Sequence, residues 1–558
     1  MSPSHRAYPR PAAKYEGSLV VARDTTTVTS FLEDAAHYPN GHTAGVARPS
    51  SEAEVAAFVR AARRVLPVGA QSSLTGGATP MGELIVATDR LDRILRVSDS
   101  EITVEAGVPL VVLRDTLARR KACYPPVPTF DGAFAGGIAA TNAAGAATFK
   151  YGTTRDWVRG IKVVLADGSV LELLRGQVHA HPDGFFEFHG PDGSKRVPVP
   201  TYRMPQVPKR SAGYFAQPEM DLIDLFIGSE GTLGIITEIT YAIVSPCPAT
   251  CVVWLPMSDE SAAFVLVETL RQETKNTWRT NDPCGIDIAA IEYLDRHSLD
   301  LARQDGIDRK HNVQIPHDSV VALLAQVELP SDTTLTAQSA YEQIGTSLLS
   351  DAPDTPLVRL CRILSHAGVL DQVELALPQN KLRQQQLFAV REAVPEAVNR
   401  RVGLAKRNVS AKIKKTAADM IVPVSHFTES IKLFRKAFEQ RGLDYAIWGH
   451  ISDGNVHPNV IPQSNEDVQK GQEAILECGR EIIQMGGCPL AEHGVGRNPV
   501  KQTLLRRLYG KTGVEQMRQV KAALDPEGKL SPGVLFPEKS VAIEQQANVE
   551  RTQIRDDL

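Results

Sequence analysis

Three histidines and one glutamate in the C-terminal part of the chain have the residue types and spacing of a catalytic or metal site. His450 and His457 flank the turn-forming run Asp453-Gly454-Asn455, so we expect the two imidazoles to converge across a tight loop. Glu492 and His493 follow, again beside glycines. Two imidazoles and one carboxylate make an open site suited to Zn²⁺, Mn²⁺ or Fe²⁺. The alternative is a set of hydrogen-bonded turn residues.

Three glycine-rich segments in the first half of the chain could let the backbone approach an anion closely. They are residues 69–77, 134–145 and 228–237, each beside a predicted strand. Glycine allows positive φ and adds no side chain, so successive N–H groups can point at a pyrophosphate. No Walker lysine follows the first segment, and no GxGxxG opens a helix after a first strand. Neither a P-loop nor a Rossmann domain is therefore predicted.

The sequence around these residues predicts the helices and strands that position them, and it divides the chain into several domains. The capping spacing of Ser51 and Glu54 predicts a helix, and strands are expected near residues 65–68, 84–88, 102–107, 161–166 and 169–173. We expect an N-terminal arm (1–40), a first domain (41–245), a second domain (246–425), a C-terminal segment with the histidines (426–537) and a tail (538–558). Residues 176–220, rich in Pro, Gly and basic residues, are predicted to be a solvated surface loop or lid.

Composition excludes several classes of protein. The 558 residues are 42% apolar and 23% charged with a net charge of −4, which argues against a nucleic-acid binder. Seven scattered cysteines indicate reduced thiols. No apolar run is long enough for a transmembrane segment, and no signal peptide is visible. We expect a cytoplasmic protein and leave peripheral membrane association open.

In this order, the segments resemble the PCMH-type FAD-binding domain of the vanillyl-alcohol oxidase and p-cresol methylhydroxylase superfamily. The C-terminal half resembles the FAD-linked oxidase C-terminal domain of the D-lactate, glycolate and D-2-hydroxyglutarate dehydrogenase branch. The resemblance covers roughly residues 40–537. It implies an α+β fold, in which a two-subdomain FAD-binding domain is followed by an α+β cap domain for the substrate.

The resemblance also implies FAD as cofactor, and noncovalent FAD is favoured because the first segment contains no His or Cys. Departures from the family pattern, such as Val68, Ala70-Gln71 and Ser531, put single contacts in doubt. The implied FAD-binding residues are Gly69, Ala70, Gln71, Ser72, Ser73, Leu74, Thr75, Gly76, Gly136, Gly137, Thr141, Asn142, Gly145, Gly152, Glu230, Gly231, Gly234 and Ile235.

In the resembled branch the histidine motifs bind a divalent metal and hold the catalytic base. The resemblance implies His450, His457 and Glu492 as metal ligands, His493 as base and Asn455 as a substrate contact.

A substrate carboxylate also needs a cation. The resemblance implies Arg391, whose guanidinium can grip a carboxylate with two parallel hydrogen bonds. The alternative is an exposed helix arginine paired with Glu392 or Glu396. Pro395 stands where the hydroxyglutarate enzymes carry a threonine, which weakens that substrate assignment. A second cation is expected downstream, and its candidates are Lys412, Lys414 and Lys415.

These expectations combine into one function. We expect an FAD-dependent oxidoreductase that oxidises a D-lactate-like 2-hydroxy acid to the 2-oxo acid with metal assistance. One alternative is a flavoenzyme of the same superfamily that acts on another alcohol or sugar; a metal-dependent hydrolase and a non-catalytic flavin-binding scaffold are less favoured. The electron acceptor stays open among quinone, cytochrome, electron-transfer flavoprotein and oxygen, and a homodimer is a candidate assembly.

Overall fold

The computed structural model describes residues 4–126, 128, 130–190, 193–330 and 335–537. The predicted tail (538–558) lies outside these residues. The helices are α1 Thr25–Thr29, α2 Glu52–Ala61, α3 Leu110–Ala118, α4 Ala135–Thr141, α5 Thr148–Tyr151, α6 Thr154–Trp157, α7 Ile223–Phe226, α8 Glu260–Thr280, α9 Arg296–Gln304, α10 Ile307–His311, α11 Ala337–Thr346, α12 Pro356–His366, α13 Lys381–Asn408, α14 Phe427–Glu439, α15 Asn465–Gln484 and α16 Pro499–Leu524, with 3₁₀ turns at Leu370–Gln372 and Val424–His426.

The strands form four sheets. They are β1 Arg6–Ala7, β2 Arg10–Pro11, β3 Val21–Ala22, β4 Gly45–Ala47, β5 Val65–Val68, β6 Leu84–Ala87, β7 Ile94–Val97, β8 Glu101–Glu105, β9 Val158–Val164, β10 Ser169–Leu174, β11 Phe185–Gly190, β12 Gly193–Pro198, β13 Ile235–Ala242, β14 Ala249–Met257, β15 Asp287–Asp295, β16 Val321–Leu329, β17 Glu374–Ala376, β18 Thr416–Ala417, β19 Met420–Ile421, β20 Tyr445–His450 and β21 Asn455–Val460.

The first half of the chain contains two sheets that hold the glycine-rich segments. A four-stranded sheet has the order β3-β4-β6-β5, and a six-stranded sheet has the order β2-β10-β9-β13-β8-β7. The predicted helix begins as expected, because the Ser51 hydroxyl accepts a hydrogen bond from the Glu54 N–H. The strands expected in this half are present within a few residues of their predicted bounds. The first glycine segment connects β5 to β6, and the third leads directly into β13.

The second half is built on an eight-stranded sheet with the order β17-β14-β16-β15-β20-β21-β18, in which β19 also pairs with β21. Side chains alternate across β15 as a pleated strand requires. Ile291 and Tyr293 enter the core that includes residues of α8, whereas Leu294 enters the core formed with α13. Strands β14 to β19 precede residue 425, and strands β20 and β21 follow it. The second domain (246–425) and the C-terminal segment (426–537) expected from the sequence therefore share one sheet.

Residues 176–220 are not the solvated loop that their composition predicts. They contain the β11–β12 hairpin, and Phe186, Phe188 and Val197 of that hairpin are fully buried. Lys209, one of the basic residues behind the prediction, is also fully buried. The apolar side chains alternate along β11 and join the main core. Residues 176–220 are therefore part of the folded structure, and they place the Lys209 ammonium in its interior.

Across the part of the chain that the structure describes, no helix combines the length and the apolar character needed to cross a lipid bilayer.

Candidate active site

A β-hairpin brings His450 and His457 together. His450 ends β20 opposite Asn455, and His457 lies in β21 opposite Trp448. Gly454 in the connecting turn has φ +89°, and a Cβ there would approach the Val422 carbonyl oxygen to 2.2 Å, so the turn requires glycine. The two imidazole rings lie 5.4 Å apart, centroid to centroid. The prediction that the imidazoles converge across a tight turn is confirmed.

The three histidines point their Nε2 atoms at one carboxylate oxygen. Oε1 of Glu492 lies 3.6 Å from Nε2 of His450, 3.3 Å from that of His457 and 3.5 Å from that of His493. His450 and His457 are buried, whereas 28% of the His493 side chain is exposed. The cluster thus has a closed side and an open side.

Each histidine also faces a carboxylate through its other ring nitrogen. Glu292 lies 3.1 Å from Nδ1 of His450, and Asp419 lies 3.5 Å from Nδ1 of His457 and 3.2 Å from Nδ1 of His493. A carboxylate on Nδ1 favours the tautomer with hydrogen there, which leaves the Nε2 lone pair directed at the centre of the cluster.

The electrostatics of the cluster differ from one residue to the next. Burial lowers the pKa of His450, but the facing Glu292 outweighs burial and raises that pKa to about 9. Burial raises the pKa of Glu492, but Lys209 and His450 hold it well below its usual range. Burial lowers the pKa of His493 to about 4 against the pull of Asp419 and Glu492. At neutral pH without a metal, His450 therefore carries a proton on both nitrogens, which a metal would displace from Nε2, and His493 is neutral.

Lys209 reaches the cluster from the first half of the chain. Its ammonium lies 2.9 Å from Oε2 of Glu492 and 3.1 Å from Oδ2 of Asp453, and it donates to Oδ1 of Asn455 at 3.2 Å. Burial lowers its pKa, but the two carboxylates outweigh burial and raise it. Lys209 therefore holds one oxygen of Glu492 and leaves the other for the histidines.

Arg391 is buried beside the cluster and is not the exposed arginine of the alternative interpretation. It projects from α13 and donates from Nε to Oε2 of Glu292 at 2.8 Å, while Oε1 of the same Glu292 faces His450. No described residue bonds the two terminal nitrogens of this guanidinium. Its outer edge is free to bind a carboxylate.

A cavity of about 290 Å³ opens beside the cluster. Parts of all three glycine-rich segments line it, and Glu492 and His493 form part of its wall. Part of the second segment forms the short helix α4. A Cβ placed on Gly137 in α4 would meet no protein atom within 4 Å, so the cavity runs directly over this backbone. A flat, extended ligand can therefore lie against α4 and reach His493.

Comparison with known families identifies the chain. The profile of "FAD linked oxidases, C-terminal domain" matches residues 257–535, and that of "FAD binding domain" matches residues 43–174. The chain belongs to the FAD-linked oxidases. It is an oxidoreductase with FAD as cofactor, and the resemblance seen in the sequence is confirmed.

Several curated relatives of this FAD-linked oxidase align over most of its length. A D-2-hydroxyglutarate dehydrogenase of Xanthomonas citri pv. viticola is 28% identical, covering 88% of this chain and 89% of the relative. Glycolate oxidase subunit GlcD of Bacillus subtilis is 26% identical, with 93% and 92% covered. A D-lactate dehydrogenase of Archaeoglobus fulgidus is 25% identical, with 88% and 90% covered.

A solved structure of alkyldihydroxyacetonephosphate synthase has the same fold. The TM-score is 0.57 at 14% identity, and the match covers 94% of this oxidase and 86% of that chain. At this identity the likeness supports the fold class alone, which agrees with the predicted α+β architecture.

The expected FAD-binding residues of this oxidase divide into two groups. Thirteen line the cavity: Gly69, Ala70, Gln71, Ser72, Ser73, Leu74, Gly136, Gly137, Thr141, Glu230, Gly231, Gly234 and Ile235. Five do not: Thr75, Gly76, Asn142, Gly145 and Gly152. Asn142 is buried and accepts from the Arg155 N–H, and Gly76 is packed against Tyr38. A flavin contact by these five stays a prediction.

Asn455 does not present its amide to the cavity. It is fully buried, and its Nδ2 donates to Asp419 and to the Met420 carbonyl while its Oδ1 accepts from Lys209. These bonds use both ends of the amide. Asn455 is not among the described residues that line the cavity, and a substrate contact by this residue stays a prediction.

Of the three lysines proposed as a second cation, Lys412 and Lys414 are exposed, and Lys415 lines a separate small pocket with Lys501. Lys209 is the cation in contact with the cluster.

The residues at the site suit both the divalent metal and the FAD that the family implies. The imidazole nitrogens of His450 and His457 and a carboxylate oxygen of Glu492 are a donor set suited to a divalent metal, and a carboxylate faces the other ring nitrogen of each histidine. The open space over Gly137 suits a ring or diphosphate laid on the backbone.

Three important residues escaped prediction: Lys209, Glu292 and Asp419. Each lies far in sequence from the histidines. The only available signal was a charged residue inside an apolar stretch, as with Glu292 between Ile291 and Tyr293.

Proposed function

We propose that this FAD-linked oxidase oxidises a D-2-hydroxy acid of the lactate type to the 2-oxo acid, with assistance from a divalent metal. The observation that supports this proposal most directly is the position of Glu492 and His493. Both belong to the imidazole–carboxylate cluster and both line the glycine-rich cavity. The names of the relatives, a D-lactate dehydrogenase and D-2-hydroxyglutarate dehydrogenase among them, support the substrate class.

Arg391 binds the substrate carboxylate in this proposal. Glu292 occupies the Nε side of its guanidinium, which orients the planar group and leaves the two terminal nitrogens for a bidentate contact. Burial of the pair strengthens the interaction with an anionic substrate, because water competes less there. Arg391 is not among the residues that line the cavity, so in this proposal the substrate carboxylate extends from the cavity toward Arg391 while the α-hydroxyl stays at His493.

His493 accepts the proton of the α-hydroxyl. Its lowered pKa keeps the ring neutral near pH 7, and Asp419 on Nδ1 leaves the Nε2 lone pair available. Its exposure toward the cavity makes it the histidine of the cluster that a substrate can reach. Asp419 and Glu492 then stabilise the imidazolium that forms.

His450, His457 and Glu492 would hold the metal. A divalent ion, when bound there, lowers the pKa of the substrate hydroxyl. FAD, when bound in the cavity, would supply the acceptor for the hydride of C2, and the protein supplies orientation and electrostatics. We propose that the FAD is noncovalent, because the described residues that line the cavity include no cysteine or tyrosine and one histidine, His493, to which we assign the role of base.

Anaerobic flavin reduction tests the proposed function. The purified yellow protein is mixed with D- and L-lactate, D-2-hydroxyglutarate, glycolate and simple alcohols, and the flavin absorbance is followed. We expect fast bleaching by a D-2-hydroxy acid and slow or no bleaching by its L enantiomer and by the alcohols. Bleaching by an alcohol or sugar alone would contradict the proposal.

Replacement of His457 by alanine separates metal assistance from flavin binding. His457 does not line the cavity, so the variant should keep its FAD while it loses bound metal and turnover. Turnover equal to that of the unmodified enzyme would show that the reaction is independent of the metal.

A further inference from the structure

A buried carboxylate, Asp419, lies behind two of the histidines. It is 1% exposed, in the short stretch between β18 and β19. Its Oδ2 accepts from the backbone N–H groups of Glu492 and His493, each at 2.8 Å, and also faces Nδ1 of His493. Its Oδ1 accepts from Nδ2 of Asn455 at 3.0 Å and lies 3.5 Å from Nδ1 of His457, a buried nitrogen that makes no hydrogen bond with a described residue.

This arrangement distinguishes the two places where a metal could bind. One set of donors is His450, His457 and Glu492; the other is Asp419, His457 and His493. Asp419 already accepts three N–H hydrogen bonds, so a metal on its side of the rings would displace them. Oε1 of Glu492, by contrast, faces the three Nε2 atoms at 3.3 to 3.6 Å and accepts no backbone N–H hydrogen bond from a described residue.

We infer that Asp419 is a positioning residue that keeps the hydrogen of His457 and of His493 on Nδ1, so that any metal binds on the Nε2 side with Glu492. This inference rests on the metal-assisted function proposed above. It adds a single residue through which the metal ligand His457 and the proton acceptor His493 are both oriented.

The hydrogen-bond pattern makes a specific prediction for Asp419→Asn. The two backbone N–H groups require an acceptor at the Oδ2 position, so the amide oxygen must lie there and the NH₂ group must replace Oδ1. Asn455 cannot turn its amide to compensate, because its Nδ2 also donates to the Met420 carbonyl and its Oδ1 accepts from Lys209. The new NH₂ group therefore meets Nδ1 of His457.

His457 is then the ring that changes. An NH₂ group opposite Nδ1 favours the tautomer with hydrogen on Nε2, which cannot ligate a metal without first moving that hydrogen. His493 keeps an oxygen opposite its Nδ1 and keeps its tautomer. The substitution should weaken metal binding while leaving the proton acceptor in place.

The test measures Mn²⁺ affinity of the flavin-loaded protein by electron paramagnetic resonance, with flavin content read from absorbance. We expect Asp419→Asn to bind Mn²⁺ about 10- to 100-fold more weakly, the range found when groups behind metal-ligating histidines are removed. Flavin content should be unchanged, and turnover should largely return at saturating Mn²⁺. Affinity equal to that of the unmodified protein would overturn the inference.

Asp295→Asn is the matched control. Asp295 is also fully buried, accepts from the backbone N–H groups of Ser298 and Ile447, and lies 3.4 Å from Nδ1 of His297. It touches none of the cluster residues, so its substitution should leave Mn²⁺ affinity unchanged. An equal loss in both variants would mean that general damage to the sheet explains the effect, and would refute the role of Asp419.

A second measurement needs no variant. Anomalous diffraction from crystals of the unmodified protein loaded with Mn²⁺ should place the ion against Nε2 of His457 and Oε1 of Glu492. An ion bound to Asp419 would overturn the inference but leave metal assistance intact. If the unmodified protein binds no Mn²⁺, Zn²⁺ or Fe²⁺, the metal part of the proposed function fails and this inference fails with it.

Discussion

Replacement of Lys209 by methionine would remove a buried cation that reaches the cluster from the first half of the chain. Methionine is similar in length and uncharged. The Lys209 ammonium is fully buried and contacts Glu492, Asp453 and Asn455 at 2.9, 3.1 and 3.2 Å. Removal of one partner from a buried ion pair costs about 3–5 kcal/mol, because the remaining charge is left uncompensated. We expect a loss of that size in the unfolding free energy of the metal-free protein.

A divalent cation should recover part of this loss. Bound at Nε2 of the histidines, it would place positive charge beside the same Glu492 carboxylate. Mn²⁺ should therefore stabilise Lys209→Met more than it stabilises the unmodified protein, by about 1.4 kcal/mol for each tenfold gain in Mn²⁺ affinity. The assay is denaturant unfolding with and without MnCl₂, followed by circular dichroism and by flavin release.

Lys521→Met is the matched control for this experiment. Lys521 is also buried and donates to Asp525 and to the carbonyls of Thr232 and Leu530, away from the histidines. The Lys521→Met variant should lose unfolding free energy in a similar way. Mn²⁺ should stabilise it by the same amount as it stabilises the unmodified protein. A loss below about 1 kcal/mol for Lys209→Met would refute the argument, as would a Mn²⁺ gain no larger than that of the control.

Two further substitutions test the substrate and the cofactor sides of the site. Arg391→Lys keeps the positive charge but loses the bidentate contact with the substrate carboxylate. The kcat/KM for a 2-hydroxy acid should therefore fall about 10- to 100-fold, with unchanged flavin content. An unchanged kcat/KM would exclude Arg391 from substrate binding. Gly137→Leu projects a side chain into the cavity and should yield colourless protein. The control is Gly345→Leu on α11, where a Cβ likewise meets no protein atom within 4 Å, and this variant should stay yellow. Full flavin content in Gly137→Leu would contradict the assignment of the cavity to FAD.

Local patterns were sufficient to predict the elements that hold the site. The Asp453-Gly454-Asn455 run predicted the turn between His450 and His457, and glycine spacing predicted the segments that surround the cavity. These features depend on residues close together in the chain, where backbone preference and strand alternation dominate. The substrate contact of Asn455 was implied by the family resemblance and not by a local pattern, and it stays a prediction.

The residues that complete the cluster come from distant positions and could not be predicted in this way. Lys209 lies in a segment whose basic composition is typical of a solvated surface, since burial of an unpaired lysine is very unfavourable. Two carboxylates more than 240 residues away offset that cost. Asp419 is likewise recognisable only once the fold brings it beneath His457 and His493.

The loop that carries the proposed catalytic base is held from two directions. Asp419, which lies between two strands of the eight-stranded sheet, accepts the backbone N–H groups of Glu492 and His493. Both oxygens of Glu230 accept the backbone N–H groups of Val495 and Gly496, and Glu230 also lines the cavity. The first pair of bonds ties the loop to the sheet, and the second ties it to the cavity wall. A shift of the eight-stranded sheet would therefore move His493 as well as Arg391, and would alter the contact between the base and the flavin together with substrate binding.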